Sequence, residues 1–170
     1  TWVLDEVPVD GRKPQPSHRK FVHGLEILSD GSLIFTFDGS VSLQRIDACG
    51  ERKWAIRGTF HHAVTLDDTG DTVWTFSARR TIAQVAVEDG AILRQIRIDD
   101  VIAKNPTIDI FEIRRLHAND VGENSRNTAG RWLPQRLHLN DVDPLPTAIA
   151  HKFEGFFDAG DLLLSARSLN

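Results

Sequence analysis

The sequence has no methionine and only one cysteine in 170 residues. It also lacks any long apolar run and any excess of basic charge. Each shortage excludes something. A lone thiol, Cys49 in "DACG", cannot form an internal disulfide, and it rules out the multi-cysteine metal motifs. A bilayer span requires about 20 consecutive apolar residues, and neither such a run nor a signal-peptide pattern is present. The formal net charge is -4 with both signs interspersed, which leaves no broad basic face for nucleic acid. A chain that opens on Thr1, lacks methionine and closes on a strand-like run reads as a piece of a longer protein.

What is present is an ordinary globular composition, 41% apolar and 26% charged, in a chain long enough for one sizeable core. The head, residues 1–20 with "DGRKPQPSHRK", is rich in proline and basic residues and reads as a linker. The pattern then becomes regular. "VHGLEILSDGSLIFTF" gives a strand, a Ser-Asp-Gly turn and a second strand, and "FHHAVTLDDTGDTVWTF" repeats the phrase 39 positions later. In each, a histidine precedes an aliphatic by four residues and a glycine by eight: His23, Ile27 and Gly31, then His62, Leu66 and Gly70. Each phrase is followed by a second strand pair, "VSLQRIDACGERKWAI" and "IAQVAVEDGAILRQIRI".

Four short strands every 40 or so residues is the period of a β-propeller blade. The expected fold is all-β, with blades of four antiparallel strands. Residues 21–170 would hold two blades and the first half of a third, interrupted by irregular stretches near 102–136 and 146–160. The third phrase is "LHLNDVDPL", in which His138 precedes Val142 by four, and its turn is replaced by "PTAIAHKFEGFFDAGD", an insertion of helical character. Trp54 and Trp74 fall on strand positions and read as packing residues, and Cys49 reads as structural.

Equivalent inner strands of a propeller begin at one mouth of the central channel, so His23, His62 and His138 are expected there together. The two strands of a hairpin run antiparallel, which brings Arg167 beside His138. Imidazoles and a guanidinium around one channel suit an oxyanion: arginine offers a planar fork of donors, and histidine serves as donor, acid, base or nucleophile. Taken singly, a histidine at a strand start is more often a hydrogen-bonded structural residue; recurrence in register favours the site. His23 is the weakest member, since only Asp38 stands at its hairpin's far end. His61 and His62 are neighbours on a strand and face opposite ways; the register selects His62, and no metal shared by the pair is expected. Asn140 and Asp141 either orient His138 or cap a turn. His117, in "LHANDV", and His151, in the insertion, are read as loop residues.

In "VHGLEILSDGSLI", "FHHAVTLDDTGDTVW" and above all "LHLNDVDPLP…GDLLLSARSLN", the chain after about Val22 resembles the bacterial arylsulfotransferase family. The resemblance implies a six-bladed propeller that moves a sulfuryl group from a phenolic sulfate ester to a phenol through a sulfated histidine. It implies no nucleotide donor, cofactor or metal, and a periplasmic or extracytoplasmic location. By matching motif, His62 resembles the family's first channel histidine, His138 the histidine before the asparagine, and Arg167 the arginine ending the next strand. These would be the catalytic set, with His23 and Asn140 binding substrate. The family's nucleophilic histidine belongs to a later blade than this chain contains. The insertion resembles a large branch of the family in which the histidine and the arginine lie farther apart in sequence. Two other readings are a metal-dependent propeller hydrolase of the lactonase or esterase kind, and a non-catalytic propeller scaffold. The hydrolase would want carboxylate and amide oxygens at the inner strand starts, and here histidines hold those places.

Overall fold

The computed structural model describes residues 21–37, 42–78, 80–107 and 139–166. Alternating apolar residues produce two four-stranded antiparallel meanders. The first runs β1 (Val22–Ile27), β2 (Leu33–Phe37), β3 (Ser42–Ile46) and β4 (Arg52–Arg57), hydrogen-bonded in that order. The second runs β5 (His61–Leu66), β6 (Thr72–Ala78), β7 (Thr81–Ala86) and β8 (Ile92–Arg97) in the same way. A two-stranded hairpin follows, β9 (Leu139–Pro144) with β10 (Leu162–Ala166). Strand β1 packs on β5, and β5 on β9. These are consecutive propeller blades with their first strands innermost: two complete blades and half of a third.

The expected turns are in place. In the β1–β2 loop the Gly31 amide donates to the Leu28 carbonyl at 2.9 Å, and in the β5–β6 loop the Gly70 amide donates to the Asp67 carbonyl at 3.1 Å. Both glycines have φ near +80°, at +80° and +77°, which a side chain would strain. Asp67 ties its loop further, with its carboxylate accepting from the Thr72 and Thr69 hydroxyls and from the Gly70 and Thr72 amides. Burial pushes the Asp67 carboxyl up, but those hydrogen bonds outweigh it, and its pKa lies below the ordinary value.

Strand periodicity divides the core in two. Leu28, Ile34, Leu43 and Trp54 of the first blade meet Phe60, Val64, Val73, Ala83 and Val85 of the second. On the opposite face of the second blade, Trp74, Phe76 and Ile82 pack with Leu139 and Val142 of β9. Alternate residues of β6 and β7 thus serve two interfaces, which is why both strands carry apolar side chains on both faces. Polar stitches reinforce the first seam. Arg45 donates to the Val87 carbonyl at 2.8 Å while bridging to Asp30 at 2.8 Å, and the Trp54 indole N–H reaches the same carbonyl at 2.8 Å. Asp30 is held below the usual carboxylate range, first by its bonds from Ser32 and then by Arg45.

Several sequence readings find their places. Both tryptophans are buried in strands, whereas Cys49 is exposed in the β3–β4 turn rather than in a packed position. A short helix, α1 (Ile98–Lys104), begins earlier than the irregular stretch expected from residue 102, because Ile98 is buried against the second blade. The insertion between β9 and β10 is partly helical, with α2 (Thr147–Ala150) and a 3-10 turn (His151–Phe153), and His151 is exposed there. The 1–20 linker and His117 lie outside the described residues, and so do most of the 102–136 stretch, Asp38, His138 and Arg167. Among the described residues no helix is long and apolar enough to cross a membrane.

Candidate functional site

Each inner strand carries a bulge near its start. On β1, Val22 pairs with Phe37 and Gly24 with Thr36, so His23 has no residue opposite it. On β5 the ladder runs from His61–Phe76 to Val64–Thr75, leaving His62 and Ala63 outside it. On β9, Leu139 pairs with Ala166 and Asp141 with Ser165, leaving Asn140 in the bulge. A bulge frees a residue from the ladder and re-aims its side chain. His23, His62 and Asn140 each stand five residues before the first loop residue, Leu28, Asp67 and Leu145.

The pairing corrects the spacing count. His138 precedes an aliphatic by four residues, but Val142 is level with Leu25 and Val64; the residue level with Ile27 and Leu66 is Pro144. Side chains two apart on a strand share a face, so the apolar pattern alone left the register uncertain by two. The third residue level with the histidines is therefore Asn140, and His138 is two residues upstream. Asn140 and Asp141 also lie within β9 rather than in a turn, and the Asp141 carboxylate accepts from the Ser165 hydroxyl across the hairpin at 2.8 Å.

The bulges converge. One open cleft of about 290 Å3 is lined by His23, Gly24, Leu25, His62, Ala63, Val64, Thr65, Asn140 and Asp141. Inside it the His23 and His62 rings lie 3.9 Å apart between centroids, inclined at 52°. His62 has φ of +58°, in the left-handed region that non-glycine residues seldom occupy. His61, expected to face away from His62, keeps its ring 5.0 Å from the His62 ring, edge to face, because the bulge breaks the strict alternation of the strand, and it also stacks on its cross-strand neighbour Phe76 at 5.6 Å. His23, expected to be the weakest member, is thus in direct ring contact with His62.

The cleft is chiefly a place for hydrogen bonds: two imidazoles and an amide at one end of three strands, with the Asp141 carboxylate at the side. Among the described residues no three of His, Cys, Asp and Glu are grouped so as to hold a metal ion. Sequence reasoning did not single out Gly24, Ala63 or Thr65 as lining residues. Gly24 had a readable signal, since glycine inside a strand marks a bulge or a close backbone approach.

No family model matches the chain, and no curated protein matches it. A crystal structure of BamB from Moraxella catarrhalis is similar over 45% of this chain and 24% of that one, with 21% identity and a TM-score of 0.38. The propeller architecture stands on the strand order and blade packing described above.

Proposed function

We propose that the protein, with its further blades, transfers a sulfuryl group from an aryl sulfate to a phenol. The observation that carries this reading is the convergence of His23, His62 and Asn140 on one cleft, with imidazole rings 3.9 Å apart. The phrases that resemble those of arylsulfotransferases contain these same residues.

In the reaction the sulfur–oxygen bond of the donor breaks, and its electron pair leaves on the phenolate oxygen. The sulfur is taken up by an imidazole nitrogen of the later-blade histidine. The acceptor's phenolic oxygen then attacks the sulfur, its proton goes to a base or to solvent, and the imidazole is regenerated. No electrons are exchanged, and neither nucleotide nor metal is consumed. Charge develops on the peripheral and leaving oxygens, so fixed donors lower the barrier. His62 and Asn140 donate to the sulfuryl or bridging oxygens, His23 supports His62 by ring contact, and Arg167 and His138 complete the donor set.

The test is acceptor-dependent release of nitrophenolate from nitrophenyl sulfate by the intact protein, with no added nucleotide or metal. His62→Ala and Arg167→Ala should each lower turnover by about 10² to 10³, the loss expected for one donor to a developing oxyanion. Arg167→Lys should also be impaired, because a point charge does not reproduce a two-pronged contact. The 170-residue chain alone should be inactive. Full turnover by either alanine variant, or no transfer by the intact protein, would overturn the reading.

A further inference from the structure

We propose that Gly24 is the positioning residue of the cleft, setting the distance between the His23 and His62 rings by letting the backbone of β1 rest against that of β5. A Cβ built at Gly24 would lie 2.0 Å from the His62 carbonyl oxygen and 2.8 Å from Val64 Cγ2. The nearer obstacle is backbone, belonging to the residue whose ring His23 touches. A side chain could be swung aside by rotating its own bonds; a carbonyl oxygen moves only with the backbone that carries it.

Three observations make this contact specific to the site. Gly24 follows the bulge residue His23 directly, so any displacement at Gly24 is passed to His23 through a single peptide. His62 is already in the left-handed region, with φ of +58°, so its carbonyl has little freedom to rotate away. The approach is also pinned from the β2 side, where the hydroxyl of Thr36, the cross-strand partner of Gly24, donates to the Phe60 carbonyl at 3.1 Å, just before β5. Blade one is thus held onto blade two at the cleft, and only a residue without a Cβ fits between them. Gly24 itself need not touch substrate; it acts through the two imidazoles.

The experiment is Gly24→Ala in the intact protein, with Gly90→Ala as the matched control. Gly90 lies in the same inter-blade seam with φ of +77°, and its Cβ would meet the Trp54 ring at 2.9 Å, away from the cleft. The first readout is the through-space contact between the His23 and His62 ring protons in histidine-labelled protein. The second is sulfuryl transfer, which alone rests on the function proposed above. Gly24→Ala should lose the ring contact and lower kcat by about 10²-fold with little change in KM, the scale of a small misplacement of reacting groups. Gly90→Ala should keep the contact and the kcat while losing thermal stability. Adding Val64→Ala to Gly24→Ala should restore neither readout, because the 2.0 Å contact is with backbone.

Retention of the ring contact in Gly24→Ala would overturn the proposal, as would rescue by Val64→Ala. So would failure of Gly24→Ala to fold where Gly90→Ala folds, since Gly24 would then serve the fold rather than the site. If the wild-type protein transfers no sulfuryl group, the function proposed above fails, and the ring contact alone still decides the role of Gly24.

Discussion

The second blade is packed on both faces by described residues, against the first blade on one side and the β9–β10 hairpin on the other. Among the described residues the first blade meets a neighbouring blade on one side, and its inner strand leaves Leu25 43% and Ile27 65% exposed. Two repeats of similar sequence thus differ in what each residue contributes. Pattern determines which residues alternate; position in the array determines how much their burial is worth.

The largest effect should come from the doubly packed blade. Phe76 is fully buried, so Phe76→Ala should cost about 3–5 kcal/mol in denaturant unfolding, whereas Ile27→Ala should fall within about 0.5 kcal/mol of wild type. Equal losses would mean that the exposure of Ile27 does not set what it contributes. Next comes the seam between them: Arg45→Ala removes a charged donor from the Val87 carbonyl and should cost roughly 1.5–3 kcal/mol.

Two threonines sharpen the comparison at smaller scale. Thr36 and Thr75 stand 39 residues apart and are both buried, but among the described residues only the Thr36 hydroxyl has partners, the Ser42 and Phe60 carbonyls. Thr36→Val should therefore destabilise by about 1 kcal/mol, while Thr75→Val, which removes a buried hydroxyl with no partner, should be neutral or stabilise by up to about 1 kcal/mol. The same sign for both substitutions in thermal melts would refute this.

The smallest effect concerns pH. The Asp67 carboxyl titrates lower in the folded protein than in the unfolded chain, so its contribution is fully present above the unfolded value, about 3.9. That contribution disappears as pH falls through the folded value. Asp67→Asn should lower thermal stability at neutral pH, where that contribution is fully present, and should flatten the further loss below about pH 4. An unaltered acid limb in the variant would show that the turn carboxylate plays no part.

The blades were legible in the sequence because hairpin turns, alternation and a near-40-residue recurrence all point to one architecture. Part of the cleft was legible too, since His23 and His62 share a register. The third member was not. A spacing of four from His138 to an aliphatic residue ended at Val142, two residues short of the equivalent Pro144, which is neither aliphatic nor typical of a strand interior. The bulges escaped for a related reason: an extra residue changes the ladder without changing the letters. That His23 touches His62 depends on a backbone approach, and only Gly24 in the sequence hinted at it.

The recurring bulge has a consequence for how such a mouth can diversify. A side chain there belongs to no ladder pair, so its identity is uncoupled from the strand that carries it; His23, His62 and Asn140 show three copies of one position with two chemistries. Duplication of a blade copies a display position together with its scaffold. A single codon change at that position can then rewrite the chemistry of the opening while the hydrogen-bonded sheet beneath it is inherited intact.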